Sequence, residues 1–401
     1  MKPKANEADV AVVGGGLAGI LAALRLSQAA SSVVLIDCPL PEARGKLGGF
    51  ARFSGAKFSF PPAGLGLVPV AGSLEQLNES ISQVVEILGI SACARTESLE
   101  SDANLGMNVA FRRYHSILLS PEGVEVLLDR LTAKVSDKAP VVQGKATELS
   151  RCDNKWKIAV TGLSESCTHY WKVDAVFYAA GRLSEGFLLR AGAIPSEGKG
   201  LDVGVRLEFE DKAAAEGLIN LGPDAKILRG KCRTFCLNSP GQIYRYPFRG
   251  ITIAGGIVAD CAIQAANVGI LLRVQEKERR IQDILRAGEL HLKEMIFESA
   301  RFRTEREIWV MPEVLSRVIG IQEADQLGGF IEELSRLGLI NTKKAHRVHM
   351  PLLDWHWHTF SSDASHKTSL TNVFALGDSS GHARGLLQAA VSGWLAAQEY
   401  L

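Results

Sequence analysis

With 401 residues, the chain is long enough for two domains or for one domain that carries a large insertion. Hydrophobic residues make up 46% and charged residues 22% of the sequence, which are ordinary values for a soluble globular protein with a sizeable core. Lysine and arginine total 45 against 44 aspartate and glutamate, so no global basic field favours nucleic acid or an anionic membrane as the partner.

The amino-terminal residues and the cysteines together predict a cytoplasmic protein. Lys2, Pro3 and Lys4 precede acidic residues and the first apolar run, so we expect no signal peptide. The seven cysteines are scattered and odd in number, which is typical of free thiols in a reducing compartment. Cys232 and Cys236 have a spacing that a redox pair could use, but two ordinary buried thiols are the favoured interpretation.

The first predicted elements are a strand, a glycine turn, a helix and a second strand. Val10–Val13 is a continuous apolar run, typical of a strand buried on both faces, and a second such run, Val33–Ile36, ends in Asp37. Three glycines between the runs have G-x-G-x-x-G spacing: Gly14, Gly16 and Gly19. These glycines and Arg25 favour a strand-turn-helix over a membrane-spanning helix, so we expect no membrane partner.

This order of elements predicts a dinucleotide-binding unit, with a βαβ unit that binds no ligand as the alternative. Gly14 allows the tight turn, Gly16 lets a pyrophosphate approach the backbone, and Gly19 lets the helix pack closely on the strand. The N-terminus of the helix supplies N–H groups and a positive dipole to the phosphates. Asp37 is placed to accept hydrogen bonds from ribose hydroxyls, which favours FAD or NAD over NADP.

An irregular, cationic segment follows at residues 42–72. It contains seven glycines, among them Gly48 and Gly49, and four basic residues: Arg44, Lys46, Arg52 and Lys57. We expect a loop that wraps the phosphates and the far half of an extended dinucleotide. A solvated surface loop is the alternative.

Two later segments end in small residues after a buried strand. Residues 139–174 predict alternating strands, and the buried run Ala175–Tyr178 then leads into Ala179-Ala180-Gly181-Arg182. Near the end of the chain, a hydrophobic strand leads into Gly377-Asp378, a glycine-bearing loop and an amphipathic helix. Small residues at the end of a strand allow the backbone to pass directly against a cofactor.

In this order, the three elements resemble the two-dinucleotide-binding-motif flavoproteins, the broad glutathione-reductase-like class. The resemblance implies FAD as the cofactor, with Gly14, Gly16, Gly19 and Asp37 on its adenosine half. It further implies that Ala180-Gly181 matches an "ATG"-like element, that Asp378 accepts a ribityl hydroxyl, and that the backbone of Gly385, Leu386 and Leu387 lies against the isoalloxazine. The other cofactor contacts predicted on this basis are Leu17, Ala18, Cys38, Arg44, Gly48, Gly49, Ala146, Gly377, Arg384 and Gln388.

Two middle segments resemble a narrower group, the uncharacterised FAD-dependent dehydrogenases. These proteins carry a strand similar to Gly204-Val205-Arg206 and a segment similar to Arg233–Cys236. The following residues, Leu237–Gln242, depart from the pattern of that group. The resemblance therefore supports the fold and lends no particular substrate.

The fold class that we predict is α/β, with a discontinuous Rossmann-like FAD-binding domain and an inserted β-sheet substrate or cap domain elaborated by helices. The FAD-binding domain would comprise residues 1–72, 120–200 and 346–401. The cap would comprise residues 73–119 and 201–345, with a helical part at about 263–345. The charge clusters of this helical part are interpreted as solvated helix faces, with a docking surface for a partner or a polyanion as the alternative.

Candidate catalytic residues come from the predicted cap and from the closing loop. Tyr244 and Tyr246 alternate with Arg245 on a predicted strand, so both phenols would share one face. Arg206 and Arg245 could hold a substrate carboxylate, or could instead pair with acids on the sheet surface. His356 and His358 would share one face of a strand and line the substrate cavity, and we predict no metal there. His382 lies in the closing loop, close to the predicted flavin.

The sequence thus predicts an FAD-dependent oxidoreductase, a dehydrogenase, oxidase or reductase that exchanges hydride between flavin N5 and a small-molecule substrate. One alternative is a flavoenzyme that modifies a nucleic-acid base or another macromolecule-borne group. A second is a non-catalytic dinucleotide-binding sensor or assembly factor.

Overall fold

The computed structural model describes residues 5–29, 32–43, 45–90, 103–104, 109–112, 114–163, 167–182, 186–196, 198, 200–223, 226–291, 295–302, 311, 316–317, 319–362 and 364–401. The strands are β1 (Asn6–Glu7), β2 (Val10–Val13), β3 (Val33–Asp37), β4 (Lys57–Ser59), β5 (Ala103–Asn104), β6 (Ala110–Arg112), β7 (Ser116–Leu118), β8 (Val141–Cys152), β9 (Lys155–Gly162), β10 (Thr168–Val173), β11 (Ala175–Tyr178), β12 (Leu201–Phe209), β13 (Lys226–Arg229), β14 (Cys232–Asn238), β15 (Gly241–Phe248), β16 (Ile251–Val258), β17 (Ala266–Val274), β18 (Met295–Glu298), β19 (His346–Asp354) and β20 (Val373–Ala375). The helices are α1 (Leu17–Leu26), α2 (Val68–Ala71), α3 (Leu74–Leu88), α4 (Pro121–Ser136), α5 (Gly186–Arg190), α6 (Glu216–Asn220), α7 (Lys277–His291), α8 (Ile321–Arg336) and α9 (Leu386–Tyr400).

The first sheet has a parallel centre. Its strand order is β1-β10-β9-β8-β3-β2-β11-β20. The last five strands in this order, β8, β3, β2, β11 and β20, run parallel to one another. The long strand β8 starts parallel to β3 and then continues into an antiparallel meander with β9 and β10. The strands β2, β3 and β11 are buried throughout, as their apolar sequences predict.

Helices cover one face of the parallel strands, and the antiparallel meander packs on their other face. On the helical face, α1, α3, α4 and α9 share one apolar core with the sheet. The helices α1 and α9 touch at backbone distance, because a Cβ at Gly393 would lie only 1.9 Å from the carbonyl oxygen of Ala18. On the opposite face, Trp156, Ile158 and Val160 of β9 pack with the short helix α5.

The second sheet is antiparallel and has its own core. Its strand order is β18-β19-β12-β17-β14-β13-β6-β5, and α6 and α8 pack against it. The hairpin β15–β16 forms a separate pair beside this sheet. A parallel-centred sheet with helices and a second, inserted antiparallel sheet confirm the predicted α/β fold class.

The prediction that the chain becomes helical from about residue 263 is wrong at its start. Ala266–Val274 is a central strand, β17, paired with β12 on one side and β14 on the other. Its run of Val268, Ile270, Leu271 and Leu272 is buried on both faces of the strand, and a run of this kind lacks the 3.6-residue period of a surface helix. Helices α7 and α8 then follow within the predicted range.

Two further placements differ from the prediction. His346–Asp354 pairs with β12 and β18 in the second sheet, although the predicted boundary assigned residues from 346 onward to the FAD-binding domain. This strand ends at Asp354, so His356 and His358 do not share the face of a strand; Trp355 turns the chain with a φ of 60°. In the part of the chain that the structure describes, no helix combines the length and the apolar character needed to cross a bilayer.

Candidate functional site

The predicted motif residues converge at one edge of the first sheet. In a parallel sheet the carboxyl ends of the strands meet at the same edge, which is where such folds bind ligands. Gly14 follows β2, Asp37 ends β3, Ala179–Arg182 follow β11, and Gly377 and Asp378 lie just beyond β20. Since β3, β2, β11 and β20 are consecutive neighbours, these four segments lie side by side.

The glycine turn leaves space only where a phosphate would need it. A Cβ at Gly14, whose φ is 111°, would lie 2.5 Å from the carbonyl oxygen of Ala179, and one at Gly19 would lie 1.9 Å from that of Gly14. At Gly16, the N-cap of α1, a Cβ would meet nothing within 4 Å. Open space in front of a helix N-terminus fits the pyrophosphate of a dinucleotide.

The Asp37 side chain accepts a hydrogen bond from the glycine turn. The Gly15 N–H donates to Asp37 Oδ1 over 2.7 Å, and the carboxylate is 7% exposed. Burial raises the pKa of Asp37, while hydrogen bonds from the backbone of Gly15 and Cys38 oppose that rise. The carboxylate therefore lies beside the turn, as a ribose-binding acid does in this kind of unit. The neighbouring side chain, Cys38, is exposed.

Two basic residues of the cationic loop form ion pairs with a neighbouring helix. Arg52 Nη1 lies 2.5 Å from Glu125 Oε2 and Nη2 lies 3.0 Å from Asp129 Oδ1, and Lys46 Nζ lies 3.0 Å from Glu125 Oε2. Both acids belong to α4, so these cations fix the loop to the helix instead of facing the glycine turn. Arg44 lies outside the described residues.

The backbone of this loop does reach the glycine turn. The Gly48 N–H donates to the Gly15 carbonyl over 2.7 Å, and Gly48 forms an isolated parallel bridge with Gly16. A Cβ at Gly49 would lie 3.4 Å from the Cα of Gly16. The two predicted glycines of the loop thus border the open N-terminus of α1.

Asp378 is paired with an arginine that follows β11. Arg182 donates to Asp378 Oδ2 through Nε over 3.1 Å and through Nη2 over 2.9 Å. The Asp378 carbonyl accepts a hydrogen bond from Trp357 Nε1 over 2.8 Å, and Arg384 Nη1 lies 3.8 Å from Asp378 Oδ1. The side chain of Asp378 is 16% exposed, so it borders the edge without being fully solvated.

The start of α9 lies against the same edge. Gly385 is its N-cap with a φ of 120°, and Leu386 begins the helix. Leu387 is buried, and Gln388 Nε2 donates to the carbonyl of Ser59 over 2.7 Å, which ties the helix start to β4. Gly181, with a φ of 63°, has open space around its missing side chain. Ala146 lies in β8, paired with Val160 of the meander.

A group of ion pairs joins this edge to the second sheet. We call it the arginine junction, and it consists of Arg182, Arg233, Arg384, Asp354 and Asp378. Asp354 is 1% exposed; it accepts from Arg384 and, over 3.0 Å, from Arg233. Burial alone would raise the pKa of Asp354, but the three guanidinium groups of Arg384, Arg233 and Arg182 hold it well below its usual range.

Both predicted phenols face the cationic loop. Tyr244 stacks on Phe53 with ring centroids 4.5 Å apart, and Tyr246 meets Phe50 edge-on at 5.2 Å. Burial raises the pKa of Tyr246, and the nearby Arg182 opposes that rise. Arg245 lies on the opposite side of β15, where its Nη2 is 3.2 Å from His349 Nδ1.

The other catalytic candidates are placed as follows. Arg206 is 1% exposed and donates to the carbonyls of Ala254 and Cys236 and to Asn267 Oδ1, so it holds the β15–β16 hairpin to the second sheet. His356 is fully buried, with its ring centroid 4.2 Å from that of Phe248. His382 lies in the closing loop, where its N–H donates to Ser380 Oγ.

Sequence reasoning missed Arg182 and Asp354 as site residues. Arg182 stands directly after the small residues that end β11, and Asp354 ends the apolar strand β19. A charged residue at the end of a buried strand was therefore the available signal. The pairing of Arg182 with Asp378 joins positions 196 residues apart, which no local pattern reveals.

No family model matches the chain, and no curated protein does. Among solved structures, it is similar to a geranylgeranyl bacteriochlorophyll reductase-like protein from Thermoplasma acidophilum, with 14% identity, a TM-score of 0.45, and coverage of 98% of this chain and 78% of the other. It is also similar to E. coli quinol fumarate reductase, with 15% identity and a TM-score of 0.46; the match covers 99% of this chain and 70% of that enzyme. L-proline dehydrogenase from P. horikoshii has 18% identity and a TM-score of 0.25; the matched part is 46% of this chain and 24% of that enzyme. At these values, none of the three lends its substrate or reaction to this chain.

Proposed function

We propose that the chain binds FAD at the carboxyl edge of the first sheet and acts as a flavin-dependent oxidoreductase on a small molecule. The observation that carries the proposal is the meeting of two distant turns at that edge. A Cβ at Gly377 would lie 3.2 Å from the Cβ of Ala18, so the turn before Asp378 touches the first turn of α1. A chain that needed only to bury α9 would not require two glycine turns with positive φ beside an open helix N-terminus.

The residues of the edge divide into two groups by their chemistry. The N-terminus of α1 at Gly16 would hold the pyrophosphate, and Asp37 would accept from the ribose. Asp378 would accept a hydrogen bond from a hydroxyl of the ribityl chain while it also accepts those from Arg182. When bound, FAD would supply the hydride acceptor or donor.

The arginine junction favours a substrate that carries an anionic group. Asp354 is 1% exposed, whereas the side chains of Arg182, Arg233 and Arg384 retain 15%, 21% and 25% of their exposure. The buried Asp354 thus lies below the guanidinium groups of Arg233 and Arg384, whereas Arg182 and its partner Asp378 are exposed to a similar extent. Planar guanidinium groups hold carboxylates with paired hydrogen bonds, so these arginines are better placed for that task than Arg206 or Arg245.

Tyr246 would serve as the proton donor beside these arginines. A phenol is protonated at neutral pH, and Arg182 opposes the rise in the pKa of Tyr246 that burial causes, so the hydroxyl can donate to a substrate oxygen or nitrogen. Tyr246→Phe should therefore lower kcat while the protein keeps its flavin. The same loss of kcat in Tyr170→Phe, a half-buried tyrosine of the meander, would show that the effect is not specific.

Anaerobic photoreduction tests whether the bound flavin is redox-active. The proposal predicts that light and a sacrificial donor bleach the flavin spectrum and that an oxidant restores it. A flavin that no donor and no illumination can reduce would support a non-catalytic binding protein instead.

A further inference from the structure

A chain of polar groups, buried at Ser392 and His366, connects the C-terminal end of α9 to the turn that carries Asp378. The Gly377 N–H donates to Ser392 Oγ over 3.0 Å, and Ser392 Oγ lies 2.9 Å from His366 Nε2. His366 Nδ1 lies 3.7 Å from Glu399 Oε2, and the His366 N–H donates to the same oxygen over 3.3 Å. Ser392 and His366 are both fully buried.

We propose that Ser392, His366 and Glu399 form a positioning relay that fixes the Gly377-Asp378 turn through the Gly377 N–H; its role in cofactor binding rests on the function proposed above. A serine, a histidine and an acid in this order also occur in hydrolases. Here the full burial of Ser392 within α9 keeps a substrate from its hydroxyl. The hydroxyl accepts from the backbone, so its task is to hold the turn.

One tautomer of the neutral imidazole fits the relay. With a proton on Nδ1, the ring directs this N–H toward the Glu399 carboxylate, a contact of 3.7 Å that is longer than a hydrogen bond, and Nε2 accepts the Ser392 hydroxyl proton. Ser392 Oγ then keeps a lone pair for the Gly377 N–H. Since Gly377 has a φ of 59° and directly precedes Asp378, the direction of this one N–H helps to set where the carboxylate points.

A second proton on His366 would disturb this arrangement. Nε2 would become a donor, so the Ser392 hydroxyl would receive two N–H groups and its own proton would lose its acceptor. The charged and titratable groups around His366 are Glu399 on α9, Lys367 beside it, whose Nζ lies 3.3 Å from Glu399 Oε1, and His382, whose ring centroid is 6.4 Å away. The contact with His366 is the main cause that lowers the pKa of Glu399, which holds the acid in its ionised form beside the ring.

Hydrogen–deuterium exchange of the full chain tests the relay without any flavin, on a peptide that covers residues 374–386. We expect Ser392→Ala to speed exchange of the Gly377 amide by about tenfold, the effect of losing one buried hydrogen bond. Ser335→Ala is the matched control, because Ser335 Oγ also bonds a side chain, Thr342 Oγ1 at 3.1 Å, but lies on α8. Equal exchange in wild type and Ser392→Ala would overturn the proposal.

Changes behind Ser392 separate a relay from a serine that acts alone. His366→Ala and Glu399→Gln leave Ser392 in place but each removes a group of the relay that orients its hydroxyl, so each should speed exchange of the same peptide, to a smaller extent than Ser392→Ala does. Exchange equal to that of wild type in both variants would contradict the relay even if Ser392→Ala changed exchange.

The link to the cofactor is a separate measurement. Ser392→Ala should retain less flavin than wild type after the same purification. If wild type itself carries no flavin, the proposed function fails while the exchange result still decides the relay.

Discussion

At the scale of single residues, Asp378 is the acid on which the flavin half of the proposed site depends. Asp378→Asn keeps the shape of the side chain but removes the charge that Arg182 pairs with and the acceptor that a ribityl hydroxyl would use. We expect purified Asp378→Asn to retain much less FAD than wild type, measured by released flavin per chain.

The control for this change is Asp260→Asn. Asp260 is exposed, and its carboxylate accepts a hydrogen bond from the Ala262 N–H within its own turn. It should retain flavin as wild type does. Unchanged occupancy in Asp378→Asn would refute the role given to this carboxylate.

The arginine junction is expected to bind a carboxylate. With flavin bound, benzoate should perturb the flavin spectrum and neutral benzamide should not, because guanidinium groups attract the carboxylate. Arg384→Gln should weaken the benzoate effect, whereas Arg279→Gln on the exposed face of α7 should leave it alone. An equal response to benzoate and benzamide would remove the argument for an anionic substrate.

At the scale of elements, the contact of α1 with α9 decides whether the two turns meet. Gly393→Ala would place a methyl group 1.9 Å from the Ala18 carbonyl oxygen and should destabilise the fold by about 1–3 kcal/mol, the usual cost of overpacking. Chemical denaturation measures this change in the free energy of unfolding.

Gly329→Ala is the matched change in another helix. A Cβ at Gly329 of α8 would meet only the end of the Arg229 side chain, at 3.9 Å. This substitution should be neutral or should stabilise by about 0.5–1 kcal/mol through helix propensity. If both variants lose the same stability, close packing at Gly393 is not the cause.

The elements that sequence predicted well are those with a local cause. A buried apolar run and a glycine turn predict β2 and the start of α1 within a few consecutive residues, and the Ser120 cap at the start of α4 is a local feature of the same kind. Strand β17 was missed because its apolar run continues into the charged pattern of α7, and an apolar run of that length has no period that separates strand from helix.

The partners of charged groups were beyond such reasoning. Lys46 and Arg52 were expected to face phosphates, and they lie instead on the acids of α4, more than 70 residues along the chain. Asp378 was predicted as a site residue, but its pairing with Arg182 depends on the packing of β11 beside β20. Ion pairs across elements follow from the tertiary structure and not from the neighbours in sequence.

At the scale of the whole molecule, Asp354 links the edge of the first sheet to the second sheet. Its pKa in the folded protein lies below the unfolded value, so its ionised form stabilises the fold above the unfolded pKa of about 3.9, and this contribution is lost as pH falls toward the folded value. Asp354→Asn should cost about 3–5 kcal/mol at pH 7, because it removes the buried charge with which Arg233 and Arg384 pair.

The difference between wild type and Asp354→Asn should shrink as pH falls below 4, which urea unfolding at several pH values would measure. Asp211→Asn, which removes an exposed acid paired with Lys344, should change stability little at any pH. A difference for Asp354→Asn that stays constant from pH 7 to pH 3 would show that its charge does not hold the two sheets together.

The most direct test of the central claim is the visible spectrum of the purified chain, followed by identification of the cofactor released on denaturation. We predict absorption bands of an oxidised flavin and release of FAD in a ratio near one per chain. A colourless protein that cannot be loaded with FAD but binds NAD would contradict the claim that the glycine turn at Gly14–Gly19 and the Gly377-Asp378 turn hold one flavin dinucleotide between them.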